Sequence, residues 1–124
     1  MNVSFQKVLV VDDRDEFRNL CKIALEASGR EVRTAANGAE ALEALGDWPA
    51  ELILLDYTMP VLDGPATFRK LREEPGTADI PVIFMTAMSD APEIKAFKEQ
   101  GLKGTIAKPF EIRSFVRSIE EILS

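Results

Sequence analysis

The stretch Val8-Leu9-Val10-Val11-Asp12-Asp13 decides the fold. Its four apolar residues show no polar alternation, which marks a strand covered on both faces, and two acids follow at once. The pattern recurs along the chain: Leu52 to Leu55 runs into Asp56, Val82 to Met85 into Thr86, and a shorter run, Thr105 to Ala107, into Lys108. Glu31 to Ala35 is of mixed polarity and reads as a strand nearer a sheet edge. Helical patterns lie between these runs. Phe17, Leu20, Cys21, Ala24 and Leu25 form one buried stripe, with Gly29 placed as a C-terminal cap. Ile112, Phe115, Val116, Ile119, Ile122 and Leu123 form another on a docked last helix. Weaker helices are predicted over about Gly38–Leu45, opened by Asn37, about Gly64–Arg72 and about Asp90–Gln100. Strand and helix alternate throughout, so the expected class is α/β, a parallel sheet with helices on both faces.

Composition narrows what such a domain can do. A chain of 124 residues, 46% of them hydrophobic, holds one core, so a single domain over residues 1–124 is expected, ordered from about residue 6. A net charge of −6 lacks the basic excess that phosphate-backbone binding needs, which argues against direct contact with nucleic acid or a membrane surface. No apolar run approaches the roughly 18 residues of a spanning helix, and Met1 to Gln6 lacks the apolar stretch of a secretory signal. A cytoplasmic location is expected. Cys21 is the one cysteine and reads as a small buried hydrophobe, and histidine is absent. Imidazole metal ligands and Ser/His/Asp catalysis are thereby excluded, so chemistry must run on carboxylates, hydroxyls and amines.

In an open parallel sheet the ligand site lies beyond the carboxyl ends of the strands, at the point where strand order reverses. The residues there are Asp12, Asp13, Asp56, Thr86 and Lys108. Three carboxylates in one crevice repel each other unless a cation joins them, and Mg²⁺, which binds through one or two carboxylates, waters and a phosphate oxygen, suits an incomplete acidic cage. A carboxylate beside such an ion can act as a nucleophile toward phosphorus. Asp56 stands alone after a central apolar strand and is the candidate phosphoacceptor, while the paired Asp12 and Asp13 read as metal ligands. Lys108 and Thr86 can compensate the charge of the transferring phosphoryl.

These residues carry a resemblance. Val10-Val11-Asp12-Asp13, Asp56-Tyr57-Thr58-Met59-Pro60 with Asp63-Gly64, Thr86-Ala87 and Lys108-Pro109-Phe110 together resemble the receiver domain of bacterial two-component response regulators, over nearly the whole chain. The resemblance implies a flavodoxin-like, doubly wound sheet of order 2-1-3-4-5. It further implies phosphorylation of Asp56 from a histidine kinase or histidine phosphotransfer protein, and Mg²⁺ held by Asp12, Asp13, Asp56 and the backbone carbonyl of Thr58. Thr86 and Lys108 would bind the phosphoryl, Ala87 would leave it room, and a cis Lys108-Pro109 bond is implied. Met59-Pro60 and Gly64 are expected to shape the loop, and Trp48, next to Pro49, to be a packing residue.

One position departs from the family pattern: Thr105 stands three residues before the lysine, where receivers often carry an aromatic ring that follows the threonine's movement. Either another element carries the coupling or the propagated change is muted. Because the last helix reaches Ser124, no effector domain is expected, and output should be protein contact through the helix from about Asp90, the strand at Thr105 to Ala107 and the last helix. The domain is read as a signalling phosphoacceptor and not an enzyme with external substrates. A flavodoxin-like flavin or nucleotide binder lacks a phosphate-cradling loop here, since acids follow Val11. A Mg²⁺-dependent phosphohydrolase lacks its general acid, because Arg14 and Thr58 stand two residues beyond Asp12 and Asp56.

Overall fold

A computed structural model describes residues 5–87 and 91–124 of the chain. The strands are β1 (Lys7–Val11), β2 (Glu31–Ala35), β3 (Leu52–Asp56), β4 (Val82–Thr86) and β5 (Gly104–Ala107). The helices are α1 (Asp15–Ala27), α2 (Gly38–Ala44), α3 (Gly64–Glu73), α4 (Pro92–Glu99) and α5 (Ile112–Leu123). All four strand pairings are parallel and the order is β2-β1-β3-β4-β5, the expected doubly wound arrangement. Strand order reverses between β1 and β3, so the crevice opens where Asp12 and Asp56 emerge. Asp56 and Thr86 are themselves the last residues of their strands, and β5 begins at Gly104, one residue before its apolar run. Asp90, where the fourth helix was expected to begin, lies outside the described residues.

The apolar runs are divided by the two-residue period of a strand. Leu9, Val11, Ile53, Leu55 and Phe84 face a core closed by Phe68 and Leu71 of α3 and Phe97 of α4. Val8, Val10, Leu54, Ile83 and Met85 face the opposite core, closed by Cys21 and Leu25 of α1 and Phe115 and Ile119 of α5. Every residue of β3 and β4 is buried, whereas the edge strand β2 buries only Val32 and Ala35, one in each core. Cys21 is fully buried and its thiol is pushed up to about 12, first by burial and then by the charge of Asp12.

Local signals in the chain set the helix ends. The Asn37 side chain accepts from the backbone N–H of Glu40 at 2.9 Å, capping one orphan donor of α2, and the Glu40 carboxylate accepts from the N–H of Ala36, the residue before the cap, at 3.1 Å. Asp63 caps α3 through Ala66 at 2.9 Å, with a proline at the start of the helix. Gly29 follows α1 at φ +90, a left-handed position that favours glycine. Trp48 is buried as a packing residue, its indole N–H donating to Glu31 at 3.3 Å.

The β3–α3 loop carries the one strained non-glycine backbone among the described residues: Val61 has φ 70. The Leu62 N–H donates across it to the Pro60 carbonyl at 2.8 Å, closing a three-residue turn. A β-branched residue is poorly suited to that conformation, and its side chain, 82% exposed, recovers little by packing. Val61→Asn is therefore expected to stabilise the protein by about 1 kcal/mol, since asparagine tolerates the left-handed region. A higher urea midpoint at unchanged slope is the expected result, and a lower midpoint would show that the turn is not strained.

Candidate functional site

Parallel pairing places residues far apart in sequence at one sheet edge. Lys108, just past β5, donates from Nζ to Asp12 Oδ2 at 2.6 Å and lies 3.2 Å from Asp56 Oδ1. Asp12, Asp13 and Asp56 each offer a carboxylate oxygen within 4.8 Å of the others. Asp12 is completely buried and Asp56 is 6% exposed, while Asp13 faces solvent. Asp12 is also the most fully fixed of the three. Its Oδ1 accepts the Arg14 backbone N–H at 2.9 Å, and its carbonyl accepts Arg18 Nη1 at 2.7 Å. Arg18 is in turn paired with Asp15.

A cavity of about 530 Å³ opens beside these acids, lined by Asp13, Asp56, Thr58, Thr86, Ala87 and Lys108 among others. Every site residue expected from the sequence except Asp12 therefore faces one space, and Asp12 underlies it through Lys108. The Lys108-Pro109 bond is cis, as the resemblance implied. Gly64 closes the loop on the same side. Its N–H donates to the Tyr57 carbonyl at 3.0 Å, and a β-carbon there would lie 2.5 Å from the Asp56 carbonyl oxygen, so only glycine lets α3 approach the end of β3 this closely.

Arg14, Phe17 and Tyr57 also line the cavity, and the sequence reading gave them no part in the site. Lys108 Nζ sits 4.3 Å from the centroid of the Phe17 ring, which leans on Phe110 at 5.9 Å, and Phe110 stacks on Phe115 of α5 at 4.5 Å. Phe17 belonged to the apolar stripe of α1, and only its place in the first turn after Asp13 hinted at the pocket. Tyr57 had no such signal beyond adjacency to Asp56.

Electrostatics single out Asp56. Its pKa is raised from 3.8 to about 6, chiefly by burial and then by the charge of Asp12, with Lys108 opposing the shift. Three carboxylates against one ammonium leave the site short of positive charge. The hard oxygen donors, their mutual proximity and the solvent-facing Asp13 fit a divalent ion such as Mg²⁺.

The chain belongs to the response regulator receiver domain family, whose model matches residues 8–120. Such domains are the signalling receivers of two-component systems, are phosphorylated on aspartate and bind Mg²⁺ at an acidic pocket. Among its relatives, the probable transcriptional regulator ycf27 of Cyanophora paradoxa is 37% identical over 122 residues, covering 96% of this chain and 50% of that protein. The chain spans about half the length of the curated relatives it matches. The chemotaxis response regulator CheY4 of Vibrio cholerae shares the fold with TM-score 0.87 and 30% identity, covering 97% of this chain and 100% of that one. The receiver domain of the sensor histidine kinase PA1611 of Pseudomonas aeruginosa, solved with a magnesium ion in its active-site cleft, has TM-score 0.82 and 25% identity, covering 97% of this chain and 98% of that one.

The raised pKa fixes a pH dependence for the metal-free protein. Between about pH 4 and 6 the folded state keeps a proton on Asp56 that the unfolded state releases, so this group's contribution to stability falls as pH rises through that window. Asp56→Asn removes the burden. In chelator, the Tm gain of the variant over the parent is expected to be largest at pH 7 and to shrink toward zero below pH 4. A gain that grows toward acid would contradict the assignment.

Proposed function

We propose that Asp56 accepts a phosphoryl group from a phosphohistidine on a histidine kinase or phosphotransfer protein and that the domain signals through protein contacts. The observation that carries this reading is the position of Asp56: nearly buried at the end of the central strand, 3.2 Å from Lys108 and within 4.8 Å of two further carboxylates. In the transfer an Asp56 carboxylate oxygen forms a bond to phosphorus as the phosphorus–nitrogen bond to the donor imidazole breaks, and that nitrogen leaves with the electron pair and takes up a proton. Lys108 can follow the developing negative charge with its ammonium, already held on the pocket's rim by Asp12. The Thr86 hydroxyl is assigned to a phosphoryl oxygen, and Ala87 leaves the space beside it open.

Asp12, Asp13, Asp56 and the Thr58 carbonyl are the residues assigned to Mg²⁺. When bound, the ion supplies the positive charge that lets carboxylates and an incoming phosphoryl share one cavity. The magnesium found in the cleft of the PA1611 receiver supports this assignment. Turnover of external phosphomonoesters is not part of the proposal, because two residues beyond Asp56 stands Thr58, a poor general acid. The output face assigned is that of α4, β5 and α5. The domain is placed in the cytoplasm, where its donors act, and direct nucleic-acid contact is left to whatever other domains accompany it, since this chain carries a net charge of −6.

Incubation of the purified protein with Mg²⁺ and a small acyl phosphate tests the acceptor directly. Intact mass should rise by one phosphoryl group in the parent and stay unchanged in Asp56→Asn. Lys108→Ala should slow the gain by at least tenfold, from the loss of a charge-assisted contact of about 1.5–3 kcal/mol. No gain in the parent, or an equal gain in Asp56→Asn, would overturn the reading.

A further inference from the structure

The residue that follows the acceptor makes an unusual set of contacts. Tyr57 lines the cavity that holds Asp56, Thr86 and Lys108. Its ring meets Phe84 of β4 edge to face at 5.3 Å and Phe97 of α4 at 6.4 Å, and Phe84 and Phe97 meet each other at 5.4 Å. Its hydroxyl leaves this apolar group and donates to the Glu93 carboxylate, in the first turn of α4, at 3.2 Å. One side chain therefore joins the pocket wall, the strand that ends in Thr86 and the start of α4.

Two further features make that connection consequential. α4 opens at Ala91, which supplies no side-chain cap, so among the described residues the bond from Tyr57 is a polar tie on the first turn that the Ala91 cap does not duplicate. Thr105, opposite Phe84 in the β4–β5 register, is half-buried and has no ring with which β5 could span the same gap. On the acceptor reading, which this inference presupposes, a phosphoryl group brings a charge of about −1.5 to −2 to the residue next to Tyr57.

We propose that Tyr57 is the positioning residue through which occupancy of the Asp56 pocket is read at α4, and that its hydroxyl bond to Glu93 is the contact that changes. The bond has two discrete arrangements, made and broken, which is what a switch element requires. The ring, held between Phe84 and Phe97, keeps the hydroxyl in register with both sites. By linkage, a partner that seizes α4 and alters this bond must also alter the free energy of phosphorylation at Asp56.

Amide hydrogen exchange over residues 93–99 tests this, compared before and after reaction with Mg²⁺ and a small acyl phosphate, at equal phosphoryl occupancy by intact mass. Tyr57→Phe keeps the ring and removes the hydroxyl, Glu93→Ala removes the acceptor, and Glu93→Gln keeps a neutral one. In the parent, phosphorylation should change exchange at α4 severalfold. The change should fall to less than half in Tyr57→Phe and Glu93→Ala and be retained in Glu93→Gln, with the unphosphorylated baselines alike. An undiminished response in Tyr57→Phe, a loss in Glu93→Gln as complete as in Glu93→Ala, or no response in a fully phosphorylated parent would overturn the proposal. Failure of the parent to gain mass would instead overturn the acceptor reading.

Discussion

The rest of the site depends on one ammonium held between two carboxylates, Lys108 Nζ at 2.6 Å from Asp12 and 3.2 Å from Asp56. The contact spans β5, β1 and β3, and the parallel pairing of the sheet delivers all three strand ends to one edge. Burial makes the arrangement strict. Removing charges from water costs several kcal/mol per ion unless partners compensate them, so misplacing Lys108 would leave Asp12, wholly buried, without its cation. The two apolar cores hold the strands rigid enough to keep this geometry, and the acids sit where those cores end.

The compensation is incomplete by one charge or more, and that shortage gives the domain its chemistry. A pocket with balanced charges would have no reason to admit a divalent ion or a phosphoryl group. Here burial, and after it the charge of Asp12, raises the pKa of Asp56 to about 6, and Asp13 remains exposed at the mouth. Stability surrendered in the empty pocket is recovered when the missing positive charge arrives, so ligation and folding free energy are linked at the same atoms. In this chain, the Tyr57 phenol beside Asp56 ties the pocket to α4, while Thr105 leaves β5 without a ring.

How much of this could be read in the chain varies with the kind of signal. Strands β1, β3 and β4 announced themselves because burial on both faces demands unbroken apolar runs, and Asp12, Asp56 and Thr86 were legible as the polar residues ending those runs, with Lys108 after the shorter β5. Asn37, Asp63 and Gly29 gave helix ends through chemistry local to a few residues. What the sequence did not disclose depends on side-chain direction across elements. Asp12 and Asp13 look equivalent as a pair, yet one is buried against Lys108 and the other faces solvent, because neighbours at a strand end point opposite ways. Phe17 read as part of an apolar stripe and Tyr57 as a motif residue without a role, and only packing brings one against Lys108 and the other to Glu93. The strained turn at Val61 was likewise hidden, since nothing in a valine calls for a positive φ.

On the reading proposed above, Asp56, and not the acids beside it, carries the phosphoryl group. Borohydride reduction of the phosphorylated protein converts an acyl-phosphate aspartate to homoserine, which peptide mass mapping can place in the sequence. Homoserine is expected at position 56, formed only when Mg²⁺ and a phosphodonor are both supplied. Homoserine at position 12 or 13, or a phosphorylated protein that yields none, would contradict it.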